Sequence, residues 1–559
     1  MQIKSITLHN FRSIEEAKFN LGAFSLLIGA NNSGKSNIID AFRVFYEKDL
    51  KYEEARDFPK FTTSNKDSWM EIEFLLSDEE YSNLKEEYKV GENELRVRKF
   101  FKTSEKGKDG KTKQGIYAYT GESISEEHFY GAKSVQQGKL GDLIYIPAVS
   151  RLEDHTKLSG PSALRDLLND ILKKLVKSSS SFRTLTDGFD VFAKEFKKEE
   201  TEDLRSISGL EKEINDELTE WEVEFELNIN PVNESEILKS LVSFKILDKA
   251  LGENLDAKQF GQGFQRHLIY TLIRMAAKYQ TTIASTERKE FLPNMTLLLF
   301  EEPEAFLHPT QQSLLCRSLS TLAKSDGTQV IISSHSPIFV SHNTDDISSI
   351  VRLCRDSAMT KIGQIDAIAL EEIFEDNKKI NELLENTKYH AGPEDLQTDM
   401  EAVKYFLWLD SERCGLFFSK QVLLVEGPTE RVLLDYLFNT GSITLPKGGV
   451  FVLDCLGKFN IHRFMNLLGP LNIQHSVLFD RDGGRAPHDI IKRLIDDSKN
   501  ECTYKIEAFS EDIETFLGIP KASKPHRKPP HVMLWLKQGK VTEEKMRALT
   551  TLISGMIQY

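Results

Sequence analysis

Long apolar runs are what this 559-residue sequence most plainly lacks. No stretch approaches the roughly 20 residues that a membrane-spanning helix needs, so no membrane association is expected. Cysteine is scarce as well. There are five, Cys316, Cys354, Cys414, Cys455 and Cys502, an odd number with no CxxC pair. That excludes a zinc ribbon and a disulfide framework, and it suits free, buried thiols in a reducing compartment. An excess of positive charge is also missing. The formal net charge is −14, so coating nucleic acid through a basic surface is not the main activity. Carboxylate clusters that hold metals would give the same balance and leave DNA open as a substrate. The opening MQIKSITLHNFRSIEEAKF alternates like a strand and has no secretion-signal core, so a cytoplasmic protein is expected. No repeat is evident, and no heptad runs long enough for a long coiled coil.

The length implies more than one domain. A strand, FSLLIG, leads into Gly29-Ala-Asn-Asn-Ser-Gly34-Lys35-Ser36, and an apolar-faced helix, NIIDAFRVFY, follows. This is GxxxxGK[ST] in the strand-loop-helix setting that the motif requires. The glycines let main-chain N–H groups wrap phosphates, and the helix N-terminus adds partial positive charge. Asn31, Asn32, Ser33, Gly34 and Asn37 are the expected nucleotide-lining residues. Lys35 is expected at the β/γ phosphates and Ser36 at Mg²⁺. Further on, the apolar strand TLLLF delivers Glu301 and Glu302. Glu301 would hold Mg²⁺, and Glu302 would orient the attacking water. His335 follows another strand, where an imidazole can contact the γ-phosphate.

The pattern becomes helical and highly charged over about 151–255, which predicts an inserted helical arm, and 366–420 predicts a helical connector. From 421 strands and helices alternate again, which predicts a second parallel sheet. There QVLLVEG ends in Glu426, and Glu430 follows one helical turn later. About fifty residues on, SVLFDRD ends in Asp480 and Asp482. Residues i and i+2 of an extended chain point the same way. A strand-end Glu beside a DxD pair makes an oxygen-rich site suited to Mg²⁺ or Mn²⁺ and to phosphodiester hydrolysis.

Taken together, these motifs resemble the OLD (overcoming lysogenization defect) family, in which an ABC/SMC-type ATPase is joined to a Toprim nuclease. The expected fold class is therefore α/β: a P-loop ATPase (1–150 and 256–365) with the arm inserted, followed by a Toprim parallel-sheet domain (421–559). The resemblance extends to Phe260-Gly-Gln-Gly-Phe-Gln-Arg266, a relaxed ABC signature whose Gly263 would contact ATP across a dimer. It extends to Leu307-His308-Pro309, like the D-loop, and to HNFRSI, whose Arg12 would lie near the nucleotide. Asp454-Cys-Leu-Gly457-Lys458-Phe-Asn460 resembles the intervening strand and glycine turn of the Toprim fold. Ser510-Glu511-Asp512-Ile-Glu514 resembles the acidic motif that completes a second metal site. Asp512 and Glu514 are the ligands expected there, with the choice among Glu511, Asp512 and Glu514 left open. The segment 520–540 has six Lys and Arg and no Asp or Glu. It resembles the family's lysine segment, with Lys528 preferred to Lys524 for stabilising charge on the scissile phosphate.

The resemblance implies ATP, and Mg²⁺ or Mn²⁺ at both sites. It implies DNA as substrate, a homodimer or higher homo-oligomer through the ATPase domains, and anti-phage defence. A UvrD-like helicase, as in Gabija systems, or a retron reverse transcriptase with its DNA are the partners it suggests. The rival reading is an SMC-like ATP-gated DNA clamp with a structural Toprim domain. A topoisomerase would need a tyrosine cleavage domain, and a transporter ATPase leaves the C-terminal domain without a purpose.

Overall fold

The computed structural model describes residues 1–47, 49–107, 110–132, 140–148, 168, 180–203, 205–218, 223–227, 229, 245–256, 259–280, 291, 293, 295–342, 347–384, 398–482 and 488–558. The chain divides into two compact units, 1–148 with 287–559, and 149–286.

The first unit is built on sheets whose burial patterns differ. An antiparallel sheet runs in the order Ile14–Asn20, Gln2–Phe11, Ser68–Leu75, Glu94–Lys102, Gly115–Thr120, Ser123–Ile124. Its edge strand Ile14–Asn20 alternates buried and exposed side chains, as expected of a sheet with one face to solvent. The second sheet runs Met359–Gly363, Ile350–Asp356, Phe24–Ile28, Thr328–Ser334, Thr296–Glu301, Asp142–Ile146. Its neighbours are parallel except for the hairpin Ile350–Asp356/Met359–Gly363. Thr328–Ser334 is buried along its whole length, because a parallel strand covered on both faces has no solvent side. One apolar core joins the two sheets: Ile6, Leu8 and Ile72 pack in the same cluster as Leu297 and Ile331. Ile38, Phe42 and Phe45 of the helix Lys35–Phe45 belong to it too.

The third sheet, fully parallel, is Phe451–Asp454, Gln421–Val425, Gln474–Asp480, Thr503–Phe509. Its core takes Leu423, Val425 and Leu478 from strands, Leu433 and Leu437 from the helix Pro428–Asn439, and Val532 and Leu536 from the helix Lys528–Lys537. Each such side chain contributes ~1.5–3 kcal/mol on burial. The basic segment expected as a lysine-rich stretch is thus a docked helix. Pro529 and Pro530 suit its first turn, where the missing N–H is no loss.

The ATPase sheet and the third sheet are tied together through buried polar bonds. Arg352, on the strand beside Phe24–Ile28, donates to the carbonyls of Phe417 (2.9 Å), Ser419 (2.8 Å), Leu471 (2.9 Å) and Asn472 (3.0 Å). These carbonyls precede the strands that end at Glu426 and Asp480. The Arg352 hairpin also reaches the phosphate loop: Thr360 Oγ1 donates to the Ser33 carbonyl at 3.0 Å, and Arg355 donates to Asn32 Oδ1 at 3.1 Å. Helices Ala367–Leu384 and Thr398–Trp408 occupy the expected connector, of which 385–397 lies outside the described residues.

In the second unit the described elements are the helices Ser180–Phe196, Ile207–Leu218 and Gln262–Gln280, and the ribbon Ile246–Asp248/Glu253–Leu255. Residues 151–167, 169–179, 219–222 and 230–244 of the expected arm lie outside the described residues. Gly263 sits in the first turn of the helix Gln262–Gln280.

Candidate functional site

The phosphate loop leaves the end of Phe24–Ile28 and turns into Lys35–Phe45. Two of its glycines are required by space as well as by backbone. Gly29 has φ 144°, and a Cβ there would lie 2.1 Å from the Leu353 carbonyl oxygen; Gly34 has φ 107°, and its Cβ would lie 2.4 Å from Thr360 Oγ1. Lys35 Nζ donates to the carbonyls of Gly29 and Ala30, both at 3.0 Å. Burial pushes its pKa down to about 8, with Glu302, Glu304 and Glu301 pulling the other way. Ser36, Asn31 and Asn32 are exposed, while Ser33 is buried. Asn37 donates to Ser13 Oγ at 2.7 Å. Arg12 is held by two carboxylates, Asp40, one turn along the helix from Asn37, at 2.5 Å, and Asp57 at 2.9 Å.

Glu301 ends its strand and accepts a bond from Tyr145 Oη at 2.7 Å. Glu302 has φ 43°, a left-handed conformation that non-glycine residues adopt at a cost. Its carboxylate lies 3.6 Å from His335 Nε2. Burial and nearby Lys35 lower the His335 pKa, so its ring is neutral at pH 7. Glu304 was not singled out from the sequence. It accepts from the His335 N–H at 2.6 Å and from Ser334 Oγ at 2.9 Å, and its other oxygen is buried without a partner. It therefore links the Glu301–Glu302 turn to the histidine. The only sequence signal was its place in EEPE.

The acidic site lies at the C-terminal ends of the third sheet. Glu426 Oε2 accepts from the Asp480 N–H at 3.3 Å, so neighbouring strands bring the two residues together. Glu430, in the first turn of Pro428–Asn439, folds back to accept from the Gly427 N–H at 3.1 Å. Burial pushes its pKa up to about 8, and Asp480 pushes it the same way. Burial also raises Glu426 and Asp480, against the pull of Lys458 and Lys528 respectively. Asp482 has φ 49°, and its N–H is held by the Glu511 carbonyl at 3.0 Å. Lys528 Nζ reaches Asp480 Oδ2 at 3.0 Å, whereas Lys524 is exposed. Asp480 and Glu430 raise the Lys528 pKa despite the opposing effect of burial.

Asp512 caps the short helix Ile513–Leu517 through the Thr515 N–H (2.8 Å) and pairs with Lys521 at 2.7 Å. Its pKa falls to about 2 because the Lys521 and Thr515 bonds outweigh its burial. Glu514 is buried and accepts from the Ala522 N–H at 2.7 Å. Glu511 is exposed, 3.8 Å from Lys521. Lys458 follows Gly457 in the turn after the strand Phe451–Asp454, and the sequence marks it only by that glycine turn. It pairs with Asp482, donates to the Asp480 carbonyl at 3.3 Å, and is 5% exposed. Burial lowers its pKa, against Glu426 and Asp480.

As the side chains stand, no three His, Cys, Asp or Glu among the described residues are gathered tightly enough to wrap one ion. The donor set nonetheless fits a divalent cation. Three carboxylates are crowded out of water, and Asp480 Oδ1 is buried with no hydrogen-bond partner. Hard oxygen donors of this kind suit Mg²⁺ or Mn²⁺.

Fold and sites together define a P-loop ATPase joined to a Toprim domain. Residues 24–341, more than half of the chain, match the family described as "AAA domain, putative AbiEii toxin, Type IV TA system", and residues 417–482 match "Overcoming lysogenization defect protein-like, TOPRIM domain". The chain belongs to this AAA-domain family and carries the ATPase-plus-Toprim organisation of OLD proteins, which implies use of a nucleotide and of divalent metal. It is 26% identical over 502 residues to the Old nuclease of Escherichia phage P2, covering 86% of this chain and 77% of that one. It is 24% identical over 497 residues to Endonuclease GajA of Bacillus cereus strain VD045, covering 86% and 75%. An SMC head domain from Thermotoga maritima overlaps 66% of this chain and 100% of its own length, at 13% identity and a TM-score of 0.31. No described helix is long and apolar enough to cross a membrane.

Proposed function

We propose that this protein is an ATP-dependent DNA endonuclease or nickase of the OLD family that acts in the cytoplasm against phage. The observation that carries the reading is the Glu426–Asp480 contact, with Lys528 on Asp480 and the buried Lys458 on Asp482. A scaffold has no use for carboxylates forced together out of water at strand ends. Glu426, Glu430, Asp480 and Asp482 would hold Mg²⁺ or Mn²⁺, with Asp512 and Glu514 as the ligands of a second position. Such ions supply an activated water and neutralise charge on the phosphate. Lys528 is the catalytic cation: its ammonium, already on Asp480, faces the scissile phosphate and stabilises charge that builds there.

In the ATPase half, Lys35 and the loop N–H groups bind the phosphates, with Asn31, Asn32, Ser33, Gly34 and Asn37 around them. The exposed Ser36 hydroxyl and Glu301 serve Mg²⁺. Glu302 orients water, and neutral His335 senses the γ-phosphate. Arg12 acts one step back, through Asp40 and Asn37. Gly263 completes the site from a second copy, so the working form is a homodimer or larger. The proposed division is an ATPase at 1–150 and 256–365, an arm at 151–255, a connector at 366–420 and Toprim at 421–559. A UvrD-like helicase or a retron reverse transcriptase with its DNA is the partner class to which the reading extends. Nucleotide state reaches the nuclease through the Arg352 hairpin, which touches the phosphate loop at one end and the strand starts of the Toprim sheet at the other.

The test is supercoiled plasmid with Mg²⁺ or Mn²⁺, with and without ATP, for wild type, Asp480→Ala and Lys35→Ala. Wild type is expected to nick, Asp480→Ala to lose nicking, and Lys35→Ala to lose ATP turnover and its control. Equal cutting by wild type and Asp480→Ala would defeat the nuclease assignment. ATP-dependent DNA binding without scission would identify a clamp instead.

A further inference from the structure

Lys458 is a buried cation of the Toprim site with no part in holding metal or phosphate, and it shares Asp482 with His488, whose Nδ1 lies 3.4 Å from the same oxygen. Its position is closely specified. The turn before it is stitched to the neighbouring strand end by the Gly457 N–H to the Glu426 carbonyl (2.7 Å) and the Cys455 N–H to the Val425 carbonyl (3.0 Å). Gly457 has φ 111°, so this turn requires a glycine. The result points the Lys458 stem into the site. The ammonium pairs with Asp482 and donates to the Asp480 carbonyl at 3.3 Å.

The two lysines of the site are placed differently. Lys528 comes from a separate helix, has a side chain 24% exposed, and covers one oxygen of Asp480. The Lys458 side chain is 6% exposed and is committed to the other end of the DxD segment. A carboxylate cannot give the same lone pairs to an ammonium and to a metal. Removing Lys458 leaves the buried Asp480 with one cation fewer, which is unfavourable, while Asp482, 40% exposed and with His488 Nδ1 3.4 Å away, keeps other partners.

We propose that Lys458 is the resident counter-ion of Asp482: it organises the DxD segment when no divalent cation is bound, and a cation that takes Asp482 must displace it. Lys458 is thus a positioning residue that sets the cation concentration at which the nuclease site loads. The inference rests on the metal-site reading of the Toprim acids.

The test is metal binding rather than cleavage. Full-length protein, stripped with EDTA and free of nucleotide, is titrated with Mn²⁺ while its melting temperature is followed, and calorimetry supplies an independent midpoint. The variants are Lys458→Met and Lys458→Gln, the second keeping a hydrogen-bond donor without charge. Both are expected to melt lower than wild type in EDTA and to load at Mn²⁺ concentrations lower by about tenfold, a factor equal to ~1.4 kcal/mol. A variant that folds only with Mn²⁺ is the extreme form of the same result. Midpoints equal to wild type, or moved to higher Mn²⁺, overturn the proposal. So does a variant that stays unfolded with Mn²⁺, because a counter-charge must be replaceable by the cation. Wild type that does not respond to Mn²⁺ overturns the metal-site reading and this inference with it. A responsive wild type with unshifted variants overturns the inference alone.

Discussion

The two sites of this chain sit at the C-terminal ends of parallel strands, yet they are assembled in opposite ways. In the phosphate loop the main chain makes the site. Glycines at φ 144° and 107° shape it, and Lys35 rests on neutral carbonyls. In the Toprim domain side-chain charge makes the site. Buried carboxylates face one another, and Lys458 and Lys528 offset them. A backbone cradle is preformed and waits for an anion. A crowded carboxylate cluster is frustrated until a cation arrives. The two halves should therefore fail separately and respond to solution conditions with opposite signs.

The largest expected effect is at Asp480. Asp480→Asn keeps the shape and removes the charge, and should lower plasmid nicking by about 10³-fold or more. ATP turnover, followed by phosphate release, should stay within about twofold if the sites are built independently. Gly34→Ala breaks the other half. Its Cβ would press on Thr360 Oγ1 in a left-handed backbone, displacing the loop. ATP turnover should fall by about 100-fold, while the Mn²⁺ midpoint of the Toprim site stays unchanged.

A smaller effect, and a sharper contrast, is pH dependence. Empty, Glu430 titrates near 8 because of burial and Asp480. A metal needs the carboxylate, so Mn²⁺ binding should strengthen as pH rises from 6 to 8, by up to about tenfold per unit. The sign for stability is the reverse. The raised Glu430 pKa favours the metal-free fold below the ordinary carboxylate range, and that contribution is lost as pH rises through about 8. Lys35 also titrates near 8, lowered by burial. Phosphates need its ammonium, so ATP binding should weaken as pH rises past 8. Calorimetric titrations of each ligand at pH 6, 7, 8 and 9 would show both slopes. Parallel slopes would erase the contrast.

The smallest effect concerns the link between the halves. Arg352→Lys keeps the charge but cannot span four carbonyls, so stability should drop by about 1–3 kcal/mol. The ratio of nicking with and without ATP should move about 2–5-fold toward unity, read by gel beside a thermal melt. An unchanged ratio in a destabilised protein would leave Arg352 purely structural.

What could be read from the sequence follows the same division. The phosphate loop is legible because its function lies in consecutive residues, Gly29 to Ser36, whose spacing is the geometry. Glu426 and Asp480 are legible because strand ends announce themselves after VLLV and VLF, whereas Asp482 lies past the strand at φ 49°, exposed and paired with Lys458 rather than extended beside Asp480. Lys458 and Arg352 were not legible as site or linking residues. Their meaning comes from partners far along the chain: Asp482 is 24 residues from Lys458, and the carbonyls held by Arg352 lie 65 to 120 residues away. Glu304 was overlooked because its neighbours Glu301 and Glu302 already filled the expected roles. The helix Lys528–Lys537 was not legible because KPPHVMLWLK groups its apolar residues in one run, of which Val532 and Leu536 are buried, rather than spacing them at a helical period.

The most direct measurement is anomalous X-ray scattering from crystals grown with Mn²⁺ and no nucleotide. A manganese peak is expected within ~2.5 Å of carboxylate oxygens from Glu426 or Glu430, from Asp480 and from Asp482, with the Lys458 ammonium moved off Asp482. Manganese absent from these carboxylates at saturating concentration, with Lys458 still on Asp482, would contradict it.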